Sequence, residues 1–214
     1  MIRAGLDISM NSTAICVLKD NEYKWINFAP NITDKTRKFD EFAAIDNCNL
    51  ITFNKNITPH NQQTLSQSIE NKYKNFNNLY NQITSNLFDV HGGEFDSICV
   101  EGPSYNSRGR AQIDLVVCNH YIIFKLFEKG LKDITFIPPS NVKKLAGKGN
   151  FNKFQMLEAF KLNILKDEIL EKSEFYKWVQ QKKITTKSIP KPIDDMIDAY
   201  FILKHHPSQP NTDL

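Results

Sequence analysis

A chain of 214 residues, 41% apolar and 24% charged, can bury one sizeable core, so a single domain over 1–206 with a short tail at 207–214 is expected. A formal charge of +3 and a pI near 8.5 suit a nucleic-acid partner without demanding one. No apolar run approaches the ~18 residues of a membrane span and no secretory leader is recognisable, which predicts a soluble cytoplasmic protein with no membrane partner.

Ile2, Ala4, Leu6 and Ile8 alternate with Arg3, Gly5, Asp7 and Ser9, the period of a strand with an acid near its carboxyl end. A polar turn over Ser9–Ser12 leads into the fully apolar Ala14–Leu18, as in a central strand. Asn21 then turns the chain into a third strand, Tyr23–Phe28, completing an antiparallel meander. Residues 30–63 are polar and Asn-rich and read as an insertion with one irregular strand. From Leu65, apolar residues recur at three and four positions (Leu65, Ile69, Tyr73, Phe76, Leu79, Ile83, Leu87), a helix ended by Gly92-Gly93.

Phe95–Glu101 is a further strand, again ending in a carboxylate. A second helix, from Arg110 to about Lys129, is expected to turn Ile113, Val116, Val117, Tyr121, Phe124 and Phe127 inward. A short strand, Ile134–Ile137, stops at Pro138-Pro139. Strands alternating with helices after a meander predict a mixed α/β sheet with helices on its faces. Cys16, Cys48, Cys99 and Cys118 lie too far apart for a zinc site and read as reduced core residues.

Three acidic positions carry the chemistry. Asp7 and Glu101 both end strands, and in open α/β sheets function collects at the carboxyl ends. Two carboxylates at one edge repel each other unless a cation neutralises them. Taken singly, each has a plainer role: Asp7 bonding its own turn, Glu101 facing solvent where its strand leaves the sheet. The third cluster, Asp194-Asp195-Met196-Ile197-Asp198, opens a helix after Pro190-Lys191-Pro192. Asp195 and Asp198, three apart, share a face, while Asp194 is assigned to the helix cap. Four such carboxylates are enough to hold two Mg²⁺, and a pair of ions about 4 Å apart is suited to phosphodiester hydrolysis.

These residues, in this order, resemble the RuvC-type Holliday junction resolvases of the RNase H-like superfamily. The stretch Pro138–Gln155 adds to the likeness, with Val142-Lys143 followed by Gly147-Lys148-Gly149 and then Lys153-Phe154-Gln155. The resemblance implies an RNase H-like, RuvC-type fold with a mixed five-stranded sheet and helices on both faces. It implies a Mg²⁺-dependent endonuclease, with Mn²⁺ able to substitute, that resolves four-way junctions by paired symmetric nicks. By it, Asp7, Glu101, Asp195 and Asp198 are metal ligands and catalytic residues, with Lys153 beside them. Lys143, Lys144, Lys148 and Lys153 would meet DNA, as would Arg108 and Arg110 after Glu101; Tyr105 is the nearest match to an aromatic that stacks at the junction centre. Symmetric nicking of a two-fold junction calls for a homodimer, with the apolar faces of the two long helices as its interface.

The stretches at about 30–63 and 162–190 look long for the cellular members; the second reads as a helix carrying Ile169, Leu170, Phe175, Trp178 and Val179. Lysine far outnumbers arginine, as in AT-rich coding sequence, which together with the insertions fits a phage or viral member. His205 and His206 either cap the last helix or reach a metal-bound phosphate, and the cap is preferred. The same ligands would serve an RNase H-like or flap-processing nuclease. A non-catalytic junction-binding module is a third possibility, whereas a sugar-kinase-like phosphotransferase is disfavoured by the absence of a second glycine-rich phosphate loop and by length.

Overall fold

A computed structural model describes residues 2–30, 39–53, 64–89, 95–102, 110–184 and 189–205. The alternation at the start of the chain becomes β1 (Ile2–Asp7), which pairs antiparallel with β2 (Thr13–Lys19). Asp20 and Asn21 take left-handed conformations (φ 52° and 60°), the geometry of a two-residue hairpin turn into β3 (Glu22–Pro30). β5 (Ser97–Glu101) lies parallel to β1 on the other side, and β6 (Ile134–Ile137) lies parallel to β5.

Among the described residues the sheet has six strands, not the five expected, in the order β4-β3-β2-β1-β5-β6. The extra one is β4 (Cys48–Phe53), a regular strand parallel to β3 where an irregular one was expected. A parallel neighbour needs a crossover connection. Part of it is the short helix α1 (Phe39–Ala43), whose Phe42 is fully buried. Without β4, the order 3-2-1-4-5 with an antiparallel meander and a parallel second half is that of the RNase H-like fold.

Helices cover both faces, which explains the unbroken apolar run of β2. Ile15 and Val17 join a core with Ala4, Leu6 and Ile98 beneath α2 (Leu65–Thr84) and α3 (Arg110–Glu128). Ala14, Cys16 and Leu18 join the opposite core, beneath α8 (Ile193–Lys204) and the helices α4 (Pro139–Ala146), α5 (Lys153–Lys161), α6 (Glu168–Lys172) and α7 (Glu174–Gln181). All four cysteines are free thiols and buried, as expected. Among the described residues no helix is long and apolar enough to cross a membrane.

Two helices depart from the sequence reading. The inward face of α3 is Cys118, Ile122, Ile123 and Leu126, while Ile113, Val117, Phe124 and Phe127 point outward. α3 is apolar around much of its circumference, so hydrophobic period alone does not fix its rotation. On α2 the expected stripe is buried at Phe76, Leu79 and Ile83 but emerges at Leu65, Ile69 and Tyr73. That helix gives way to a π-helical turn, Ser85–Asp89, and Gly92-Gly93 lies outside the described residues. The added stretch after Lys161 is two short helices, α6 and α7, rather than one. Asp167 caps α6 and Ser173 both ends it and caps α7, so two side chains that compete for backbone N–H groups split the run. Asp167 also accepts hydrogen bonds from Tyr23 (2.6 Å) and Tyr200 (3.0 Å) and pairs with Lys204 (3.0 Å), which fastens this stretch to β3 and α8.

Candidate metal centre

The pairing of β1 with β5 runs through Gly5–Cys99 and Leu6–Val100, so the next residues, Asp7 and Glu101, finish neighbouring strands at one edge. The turn after β1 does not need Asp7: Ser9 N–H donates to Thr13 Oγ1 (3.0 Å), Thr13 Oγ1–H to the Ser9 carbonyl (2.6 Å) and Ser12 N–H to Ser9 Oγ (3.1 Å). α8 crosses the same face of β1 and is let in by Gly5, where a Cβ would collide with the Ala199 carbonyl oxygen and the Leu203 backbone nitrogen. This crossing carries Asp194, Asp195 and Asp198 toward the strand ends.

A cleft of about 280 Å³ opens there, lined by Asp7, Glu101 and Asp198 together with Lys143 from α4 and Lys153 from α5. Burial raises the proton affinity of all four carboxyls, and for Asp7, Asp195 and Asp198 neighbouring acids raise it further. Burial pushes Asp7 well above the usual carboxylate range, and Glu101, Asp195 and Asp198 push it further. Burial lifts Glu101 to about 7, against the pull of Lys143 and Lys153. Burial and then Glu101 lift Asp198 to about 8, and burial and then Asp194 raise Asp195. An acid cluster of this kind favours the binding of further positive charge.

Asp194 is not the helix cap assigned to it. The capping position is Pro192, which offers no side-chain bond, and the Asp194 carboxylate is buried in ion pairs with Lys153 and Lys191 (3.1 Å). Burial acts to lower the proton affinity of Lys153, but the Asp194 bond and the acids around it raise it overall. Lys144 and Lys148 are exposed outside the cleft. Tyr105, Arg108 and His206 lie outside the described residues, as does the side chain of Arg110, the first residue of α3. His205 stands at the C-cap of α8, as expected.

Two contributors went unnoticed in the sequence. Lys191, which bonds Asp195 as well as Asp194, precedes them by four and three residues, a helical spacing for ion pairs that was open to view. The other is a buried relay. Asn27 of β3 donates through Nδ2 to Ser12 Oγ (3.1 Å) and to the Thr13 carbonyl (3.2 Å), and the Ser12 hydroxyl bonds Asp195. No pattern in a half-polar strand end marks such an asparagine.

Among the described residues, no three His, Cys, Asp or Glu side chains are grouped as a ready-made site for a metal ion. The donor set nevertheless fits a hard divalent cation. It consists of carboxylates alone, and Asp194 Oδ1 and Asp195 Oδ2 are buried with no hydrogen-bond partner among the described residues. Asp7, Glu101 and Asp198 line the cleft and Asp195 stands near Asp7 on α8, which makes these four the candidates to hold such an ion.

No family model matches the chain, and no curated protein matches it. Solved structures do. Thermus thermophilus RuvC matches over 94% of this chain and 92% of its own, at 12% identity and a TM-score of 0.48. The same organism's RuvC in complex with a Holliday junction substrate matches over 94% and 91%, at 9% identity and a TM-score of 0.48. The yeast mitochondrial Holliday junction resolvase Ydc2 matches over 94% and 75%, at 18% identity and a TM-score of 0.43.

Proposed function

We propose that this protein is a Mg²⁺-dependent, structure-specific DNA endonuclease that resolves four-way junctions by paired nicks. The observation that carries the proposal is the convergence of acids from three distant segments, β1, β5 and α8, in one cleft rimmed by Lys143 and Lys153. The four-way junction as substrate rests on the ordered motifs that resemble RuvC-type resolvases. The lysine-rich composition and the two added stretches support a phage or viral source.

In this reading Asp7, Glu101, Asp195 and Asp198 hold the ions. Mg²⁺ held there would supply activation of a water and neutralisation of charge at the leaving oxygen. Ser12, itself held by Asn27, keeps Asp195 turned toward the site. Lys143 and Lys153, at the cleft wall, receive the scissile phosphate. Lys144, Lys148, Arg108 and Arg110 contact flanking phosphates, each adding to the salt dependence of binding. Tyr105 is assigned to base stacking at the junction centre.

The test is cleavage of a labelled four-way junction beside linear duplex, flap and RNA–DNA hybrid, with Mg²⁺ or EDTA, by wild type and Asp7→Asn. Paired nicks in opposing arms that vanish in EDTA and in Asp7→Asn are expected. Cleavage of hybrid or flap alone would keep the ion chemistry and move the substrate. Tight junction binding without cleavage in any metal would leave a binding module in its place.

A further inference from the structure

The ammonium of Lys191 bonds Asp195 Oδ1 and stands 3.1 Å from Asp194 Oδ2. The other oxygen of each carboxylate, Asp194 Oδ1 and Asp195 Oδ2, has no hydrogen-bond partner among the described residues. Each acid is therefore only half satisfied. The Asp194 and Asp195 side chains are 5% and 7% exposed, whereas that of Lys191 is 37% exposed. The acids are fixed in packed protein on α8, and their cation sits on a flexible stem at the surface. Lys153 differs: it pairs with Asp194 alone, from the far wall of the cleft.

We propose that Lys191 is a displaceable counter-cation, which neutralises Asp194 and Asp195 before an ion binds and competes with a divalent ion for Asp195. This inference rests on the metal-site reading above. A buried carboxylate pair with no positive charge is strongly unfavourable, so an ion-free centre needs an internal cation. A divalent ion held by Asp195 takes over that role and repels an ammonium a few ångströms away. Asp195 Oδ1 cannot serve both at full strength. Ion binding therefore includes the loss of the Lys191 bonds, and the ion's affinity is lower than the acids alone would give. The half-exposed stem lets the ammonium leave without moving α8.

The experiment is calorimetric titration of Mn²⁺ into the whole protein at fixed pH and ionic strength, for wild type, Lys191→Met and Lys191→Arg. Lys191→Met is expected to bind Mn²⁺ roughly tenfold tighter, in the usual range of coupling between competing ligands, and Lys191→Arg to return toward wild type. Should Lys191→Met not fold, Lys191→Gln keeps a donor, removes the charge and carries the same expectation. A merely structural Lys191 would weaken Mn²⁺ binding when removed, because the acids it aligns would lose their positions. Equal or weaker binding by the uncharged variant, with wild type still binding, overturns the competition and leaves the metal site standing. No Mn²⁺ binding by either protein removes the metal site and this inference together.

Discussion

Glu101 and Asp198 keep their protons up to about pH 7 and 8, against ordinary values of 4.5 and 3.8. Between roughly pH 4 and 8 the folded protein therefore binds more protons than the unfolded chain, and its stability falls as pH rises through that window. Asp167, shifted downward, exerts its effect below this range. The melting temperature in EDTA is expected to drop from pH 5 to pH 8.5, and Mg²⁺ to abolish most of the drop. A flat profile in EDTA would contradict the burial of these acids as the source of their raised proton affinity. The acids themselves were legible in the sequence, because each stands where an apolar run ends or a helix begins. Asp194 was misplaced because a first-turn aspartate looks alike whether it caps backbone N–H groups or binds lysines brought from elsewhere. Lys191 was overlooked, although its spacing from the two acids was open to view, because it ends a lysine-rich stretch that resembles a solvated surface.

The acid-bearing helix depends on one strand residue. At Gly5 the obstacles to a side chain are backbone atoms of α8, which cannot turn aside as a flexible side chain would. Gly5→Ala is expected to lower stability by about 1–3 kcal/mol, the usual penalty for overfilling a packed contact. It should also weaken Mn²⁺ binding, since α8 must lift away from β1. Denaturant unfolding with parallel Mn²⁺ titration checks both, and stability within error of wild type would refute the close approach. Element types were well marked by sequence: the meander, the two strand ends and the long helices all lie near their expected bounds. The rotation of α3 was not, since apolar residues on both its sides satisfy the same period. β4 was missed as a regular strand because its partner, β3, is set by a crossover that local pattern does not encode.

At the scale of the molecule, the two faces of the sheet are finished differently. The core under α8 is closed over by α4 to α7, whereas α2 and α3 leave Leu65, Ile69, Tyr73, Ile113, Val117, Phe124 and Phe127 exposed on the opposite side. Seven large apolar side chains on two adjacent helices exceed the scattered singles of an ordinary surface. They would supply the face of a homodimer, the assembly that the proposed paired nicks call for. Light scattering at micromolar concentration is expected to give twice the 24.7 kDa chain mass. Val117→Glu with Phe124→Glu is expected to halve it while leaving the fold intact by circular dichroism. A monomeric wild type would refute the dimer.

The crossing of α8 over β1 joins the first described strand to the last described helix. On the ribosome, Asp7 emerges first, Glu101 well after it and Asp198 later still. The growing polypeptide cannot bring β1, β5 and α8 together until α8 has been made. A chain released before that point, by truncation or a stalled ribosome, would lack α8, which covers one core and carries Asp195 and Asp198. In the proposed nuclease such a fragment would lack two of the four proposed ligands and would leave DNA uncut.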